Sequence, residues 1–327
     1  MKRKLRIAKE SWPLAGRFAI SRGSRTSSET VLVEIGQAGR IGRGECSPYP
    51  RYGESVDGVM AAIEALRGRI EAGLGREELQ RLLPAGAARN AVDCALWDLE
   101  AKLSGRPVWQ LAGLSKPRPI TTAYTLSLDT AENMGIAARA NASRPLLKLK
   151  LAGPADLDRV RAVHDNAPNA RLIVDANEAW TPEIFADLSP RLKPLGVELI
   201  EQPFPQSADT PLERLARPVT VCADESCHDR ASLSHIAGCY DAVNIKLDKT
   251  GGLTEALALK EAARGAGYKL MVGCMLGTSL AMAPALLVAE DAEIVDLDGP
   301  LLLARDRAPG LLYTGSEIAP AEAELWG

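Results

Sequence analysis

The pattern of apolar and polar positions changes near residue 115. Before it, the run Val31-Leu32-Val33-Glu34-Ile35 reads as a strand, and 40–45 reads as the return arm of a hairpin. Helical segments follow, one of them over 55–72. In another, Ala88, Ala91, Val92, Ala95, Leu96 and Leu99 recur at intervals of three and four, which places them on one apolar face. Gly105 and Pro107 end that helix. Residues 1–115 therefore read as an α+β domain.

Eight short apolar runs then succeed one another, over 122–128, 146–151, 171–177, 197–203, 220–226, 242–247, 269–275 and 293–299. Helix-like segments separate them, for example 156–166, 181–192, 252–266 and 279–289. Runs that do not alternate belong to strands buried on both faces, hence to a parallel sheet. Eight of them predict a closed α/β barrel over 116–300. No convincing helix follows the eighth run. Residues 301–327, with Pro309, Gly310 and Pro320, read as a tail returning to the first domain.

Each run begins apolar and ends polar. The second ends in Lys148-Leu-Lys150, the third in Asp175-Ala-Asn177, the fourth in Glu201-Gln-Pro203 and the fifth in Asp224-Glu-Ser226. The sixth carries Asn244-Ile-Lys246 and the eighth Asp296-Leu-Asp298. From Lys150 through Asp175, Glu201 and Asp224 to Lys246 the steps are 25, 26, 23 and 22 residues, each about one βα unit. That spacing predicts equivalent heights at the C-terminal mouth, where barrel active sites are built.

Taken singly, each residue has a plain structural reading. A lone Asp after a strand is often a helix N-cap, and lysine is mostly a solvated rim. Together they form a constellation. Three adjacent carboxylates resist joint ionisation, and a hard divalent cation with oxygen ligands relieves this. Asp175, Glu201 and Asp224 are therefore candidate ligands of Mg²⁺. Lys150 and Lys246 flank them in strand order, as a base and an acid on opposite faces of one carbon would. A lysine base needs its pKa lowered, which burial, the ion and the second ammonium of Lys148 would all favour.

Composition narrows the partners. With 46% hydrophobic and 25% charged residues the chain has the makeup of a globular protein. A net charge of −3 without a basic run speaks against nucleic acid. No apolar stretch nears the roughly 18 residues of a membrane span, and Glu10, Pro13 and Arg17 interrupt any signal peptide. Six scattered cysteines without a CxxC pair suit a reducing cytoplasm. A homo-oligomer is compatible with all of this.

These motifs, with Lys249-Thr-Gly-Gly252 and Ala95-Leu-Trp-Asp-Leu-Glu-Ala-Lys102, resemble the muconate-lactonising subgroup of the enolase superfamily. The resemblance implies a (β/α)7β modified TIM barrel, an α+β N-terminal capping domain and one Mg²⁺ per subunit. Within the subgroup, Asp296-Leu-Asp298-Gly299, Ser21-Arg-Gly-Ser-Arg25 and the stretch from Glu45 to Ser55 are similar to dipeptide epimerases acting on L-Ala-D/L-Glu in murein peptide recycling. By that resemblance Asp296 and Asp298 hold the free ammonium of the dipeptide, and Arg25 meets the glutamate side chain. Thr125, Lys148 and Cys274 align with positions that touch substrate. The implied reaction is a 1,1-proton transfer between Lys150 and Lys246. The rivals are an N-acyl amino acid racemase, an o-succinylbenzoate synthase or a muconate cycloisomerase on the same scaffold. A Schiff-base lysine aldolase and a non-catalytic peptide-binding barrel belong to other classes.

Overall fold

The computed structural model describes residues 2–327. Strands β1 (Lys4–Ile20), β2 (Gly23–Gln37) and β3 (Arg40–Cys46) form an antiparallel sheet in that order. The β2–β3 turn has Ala38 and Gly39 both at positive φ, the tight hairpin geometry that matches strand twist. Helices α1 (Val56–Ala65), α2 (Arg67–Ala72), α3 (Arg76–Leu82), α4 (Ala87–Ser104) and α5 (Val108–Leu111) follow. The segment expected as one helix over 55–72 is thus two, broken at Leu66, with the Ser55 side chain capping the first.

Helix α4 lays Ala91, Ala95 and Leu99 against Val31, Val33 and Ile35 of the sheet. The approach is close because β3 carries Gly42 and Gly44. A Cβ at residue 44 would fall on the carbonyl oxygen of Ala91, and one at 42 on that of Ala95. Gly44→Ala is therefore expected to destabilise by about 1–3 kcal/mol or more through overpacking. A thermal melt at the wild-type midpoint would show that the contact is not needed.

After β4 (Ile120–Thr121) come the barrel strands β5 (Tyr124–Leu126), β6 (Leu146–Lys150), β7 (Arg171–Asp175), β8 (Val197–Glu201), β9 (Thr220–Ala223), β10 (Ala242–Ile245), β11 (Lys269–Gly273) and β12 (Ile294–Asp296). They are parallel, each paired with the next, and the ring closes through the Ala123 N–H on Val295 O at 2.8 Å. All eight expected runs hold strands, each ending one to three residues before the expected end of its run, where the loops of the mouth begin. Between strands lie α6 (Ala131–Ala140), α7 (Asp156–Asn166), α8 (Pro182–Leu192), α9 (Leu247–Thr250), α10 (Leu253–Gly265) and α11 (Ser279–Ala289). The crossovers after β8 and β9 hold only 3₁₀ turns, Thr210–Glu213 and Arg230–Ser234, where helices were expected. After β12 there is a single turn, α12 (Gly299–Leu302).

In the tail, β13 (Tyr313–Thr314) and β14 (Glu317–Ile318) pair beside β4. The Gly327 N–H bonds Asp98 Oδ1 at 2.8 Å, and Trp326 Nε1–H bonds Cys94 O at 3.0 Å, both on α4. No helix among the described residues is long and apolar enough to cross a membrane.

Candidate active site

One inward layer closes the barrel from within. Ala123, Leu146, Ile173, Leu199, Cys222, Ala242, Met271 and Ile294 form a separate buried cluster, one residue from each strand or its lead-in. Side chains on a strand alternate faces, so the next inward residues lie two positions on. They are Thr125, Lys148, Asp175, Glu201, Asp224, Asn244, Gly273 and Asp296. No apolar side chain occurs among them. Two positions further stand Lys150, Asn177, Lys246 and Asp298. The expected common height therefore resolves into two tiers, carboxylates below and the two lysines above. In strand register Lys150 lies beside Asp175 and Asp175 beside Glu201, but Glu201 lies beside Cys222, two residues short of Asp224. The tilt of barrel strands produces that shift.

A cavity of about 520 Å³ opens above these tiers. Nine of the eleven expected site residues line it: Arg25, Thr125, Lys148, Lys150, Asp224, Lys246, Cys274, Asp296 and Asp298. Asp175 and Glu201 do not; they are fully buried behind the lysines. The cap supplies the roof, with Phe18, Ile20, Arg22, Tyr49, Arg51 and Tyr52. Lys150 Nζ sits 5.9 Å from the Phe18 ring centroid.

Ion pairs knit the charged tiers. Lys150 Nζ lies 2.6 Å from Asp175 Oδ2, and Lys246 Nζ lies 2.6 Å from Asp224 Oδ2. Lys148 Nζ is 2.6 Å from both Glu201 Oε2 and Asp296 Oδ2. The contact with Glu201 lies off the hydrogen-bond direction, so this buried oxygen makes no hydrogen bond. Burial lowers Lys246, but Asp224 and Glu201 outweigh it and hold its ammonium above the usual lysine range. Burial likewise raises Asp224, and Lys246 and Lys249 outweigh it, keeping it well below the usual carboxylate range. Burial and then Asp175 raise Glu201.

Among the described residues no three ligating side chains are gathered around a point as they would be about an ion. Lysines stand between the carboxylates instead. The donor set nevertheless fits Mg²⁺. It is all oxygen, three buried carboxylates on adjacent strands whose combined charge a hard divalent cation would balance. Asp175, Glu201 and Asp224 are the residues that would hold it.

At the far wall Asp298 Oδ2 accepts from the Thr125 N–H at 2.6 Å, and burial with Asp296 pushes its carboxyl up to about 7. Asp296 already has Lys148, so the pair is not wholly without a cation, but its Oδ1 is buried and unpartnered.

Arg25 lies on β2 opposite Phe18 and is exposed about 6.0 Å from the Tyr49 ring. Its neighbour Arg22, in the β1–β2 turn, makes the denser contacts. It donates to Asn177 O at 2.7 Å, Glu178 at 3.0 Å, Tyr49 OH at 3.0 Å and Glu225 at 2.7 Å, tying cap to barrel. No role had been assigned to Arg22, although its place between Ser21 and Gly23 marked the turn. Asn244 and Lys249 also carry site contacts. Asn244 Nδ2 donates to Glu201 Oε1 at 2.7 Å, and Lys249 Nζ donates to Asp224 Oδ1 at 2.6 Å.

Residues 2–113 match the mandelate racemase / muconate lactonizing enzyme N-terminal domain, and residues 133–297 match the enolase C-terminal domain-like family. The L-Ala-D/L-Glu epimerase of Escherichia coli K12 is 48% identical over 318 residues, 97% of this chain and 99% of that protein. The chain belongs to the dipeptide epimerases of the enolase superfamily. This dipeptide epimerase family member is also 44% identical to an N-acetyl-D-glutamate racemase of a Pseudoalteromonas species, over 91% of the chain and 95% of that protein. An enolase family member from Agrobacterium tumefaciens, solved with sodium and L-Ala-L-Glu, superposes with a TM-score of 0.98 at 52% identity, covering 99% of this chain and all of that one. A dipeptide epimerase from Methylococcus capsulatus, complexed with Mg and L-Arg-D-Lys, superposes at 0.91 with 31% identity, covering 98% of each chain.

Proposed function

We propose that this enzyme epimerises L-Ala-L-Glu and L-Ala-D-Glu with Mg²⁺, by 1,1-proton transfer between Lys150 and Lys246. The observation that carries the proposal is the placement of those lysines. Lys150 ends β6 and Lys246 follows β10, four strands apart in a ring of eight, so they stand on opposite walls of one cavity. A carbon between them has a proton acceptor on each face, as inversion of a stereocentre requires.

A bound Mg²⁺ supplies electrostatic stabilisation of the charge that develops on the substrate carboxylate. The Lys148 ammonium adds a fixed positive charge in the same tier. Each outer lysine must leave its carboxylate before its Nζ can accept a proton. Asp296 and Asp298 take the substrate ammonium, Thr125 and Cys274 line its path, and the exposed Arg25 can turn to meet a side-chain acid. The cap's Phe18 and Tyr52 exclude water.

The Pseudoalteromonas relative favours a second reading, racemisation of an N-acylated glutamate. Two buried carboxylates on β12, between the walls that carry the two lysines, speak for an ammonium instead. A role in murein peptide recycling follows from the proposed substrate. A cytoplasmic location is supported by six thiols, none in a disulfide. The division into 1–115, 116–300 and 301–327 is proposed on the sheet boundaries.

Deuterium uptake tests the reading. Chelated enzyme reloaded with Mg²⁺ and given L-Ala-L-Glu in D₂O should yield both epimers labelled at one carbon, by mass spectrometry and NMR. The chelated enzyme should yield neither. An unlabelled, unepimerised dipeptide in the reloaded enzyme would sink the proposal.

A further inference from the structure

The three carboxylates of the lower tier divide their oxygens in the same way. One oxygen of each is tied to a donor fixed in the barrel. Asp175 Oδ1 accepts from the Asn177 N–H at 2.9 Å, Glu201 Oε1 from Asn244 Nδ2 at 2.7 Å, and Asp224 Oδ1 from Lys249 Nζ at 2.6 Å. The other oxygen of each meets the ammonium of a cavity lysine, Lys150, Lys148 or Lys246, each at 2.6 Å.

The fixed donors cannot readily turn away. Lys249 is 1% exposed, and besides Asp224 Oδ1 it donates to Asp224 O at 2.5 Å and Asn244 O at 2.8 Å. An ammonium has three N–H donors, so all three are used. Asn244 is fully buried, and β11 walls it in at Gly273, where even a Cβ would lie 2.9 Å from Nδ2.

The geometry points to Lys249 and Asn244 as positioning residues that leave Asp224 and Glu201 one metal-facing oxygen each, and so set a preference for Mg²⁺ over Ca²⁺. The inference rests on the metal reading above. Mg²⁺ demands compact octahedral coordination and keeps several waters. Ca²⁺ takes six to eight oxygens and readily uses both oxygens of a carboxylate. Three carboxylates that each offer one oxygen suit the first ion. A carboxylate released from its clamp can offer two and suits the second. Partners outside the coordination shell commonly tune metal affinity in this way.

The test is titration calorimetry of the full-length, chelated enzyme with Mg²⁺ alone and Ca²⁺ alone. Wild type is compared with Lys249→Met and Asn244→Leu, which keep side-chain volume and remove the donor. The ratio of Ca²⁺ to Mg²⁺ dissociation constants should fall by about tenfold or more in Lys249→Met and move in the same direction in Asn244→Leu. A merely structural role would lower both affinities and leave the ratio alone. If Lys249→Met does not fold, Asn244→Leu decides by the same ratio. A ratio within about threefold of wild type in every folded variant overturns the inference. Wild type that binds neither ion overturns the metal reading itself, a separate and recognisable failure.

Discussion

Lys150→Ala and Lys246→Ala are each expected to abolish epimerisation while keeping α-proton exchange on one epimer of L-Ala-Glu. Each variant retains one of the two lysines proposed to carry the proton, on one wall of the cavity. It can take the proton from the epimer facing it and return deuterium to the same face, but it cannot deliver to the other. Loss of a positioned acid or base costs on the order of 10²–10⁴-fold in rate. The epimer left exchanging should differ between the two variants. That asymmetry matters because each lysine also touches a carboxylate of the lower tier, Asp175 for Lys150 and Asp224 for Lys246. Damage to the metal site would remove exchange from both epimers alike. Separate deuterium time courses for L-Ala-L-Glu and L-Ala-D-Glu distinguish the outcomes. Normal turnover by either variant, or retention of the same epimer's exchange in both, would refute the two-base scheme.

The barrel was legible because its signal is local. Eight apolar runs with polar ends each carry their own evidence, and the spacing of the charged ends reports the βα repeat whatever the loops do. The tiers were not legible. Counting from Lys150 to Lys246 places one residue per unit, but strand tilt shifts register by two residues between Glu201 and Asp224, and only pairing reveals that. Strand β1 escaped notice for another reason. Along its 17 residues only Leu5 and Leu14 are buried, so its sequence lacks the apolar alternation that marks a strand. For Lys246 the sequence does not reveal that Asp224 comes within 2.6 Å, close enough to outweigh burial and hold the ammonium up. The glycine and serine neighbours of Arg25 carry no strand signal. The hairpin register carries β2 through it, leaving Arg22 to hold the turn against the barrel.

N-acetylation of L-Ala-L-Glu is expected to cost several kcal/mol of transition-state binding. The free ammonium would meet Asp296 and Asp298, which are 4% and 3% exposed and so cannot turn to water for compensation. Acetylation replaces the cation with a neutral amide and leaves the unpartnered Asp296 Oδ1 unsatisfied. Breaking a buried charge pair on one side costs about 3–5 kcal/mol, or roughly 10²–10⁴-fold in kcat/KM. Lys148 already compensates part of the charge at Asp296, which places the effect towards the lower end of that range. The pH profile gives an independent reading. Asp298 has its carboxyl pushed up to about 7 by burial and Asp296, so it ionises as pH rises through 7, and kcat/KM for the free dipeptide should rise there. It should fall again above about 8 as the substrate's amino group loses its proton. The acetylated dipeptide has no such group and should lack that falling limb. Equal kcat/KM for the two compounds would remove Asp296 and Asp298 from ammonium recognition, and would hand the site to the N-acyl racemase reading that the Pseudoalteromonas relative represents.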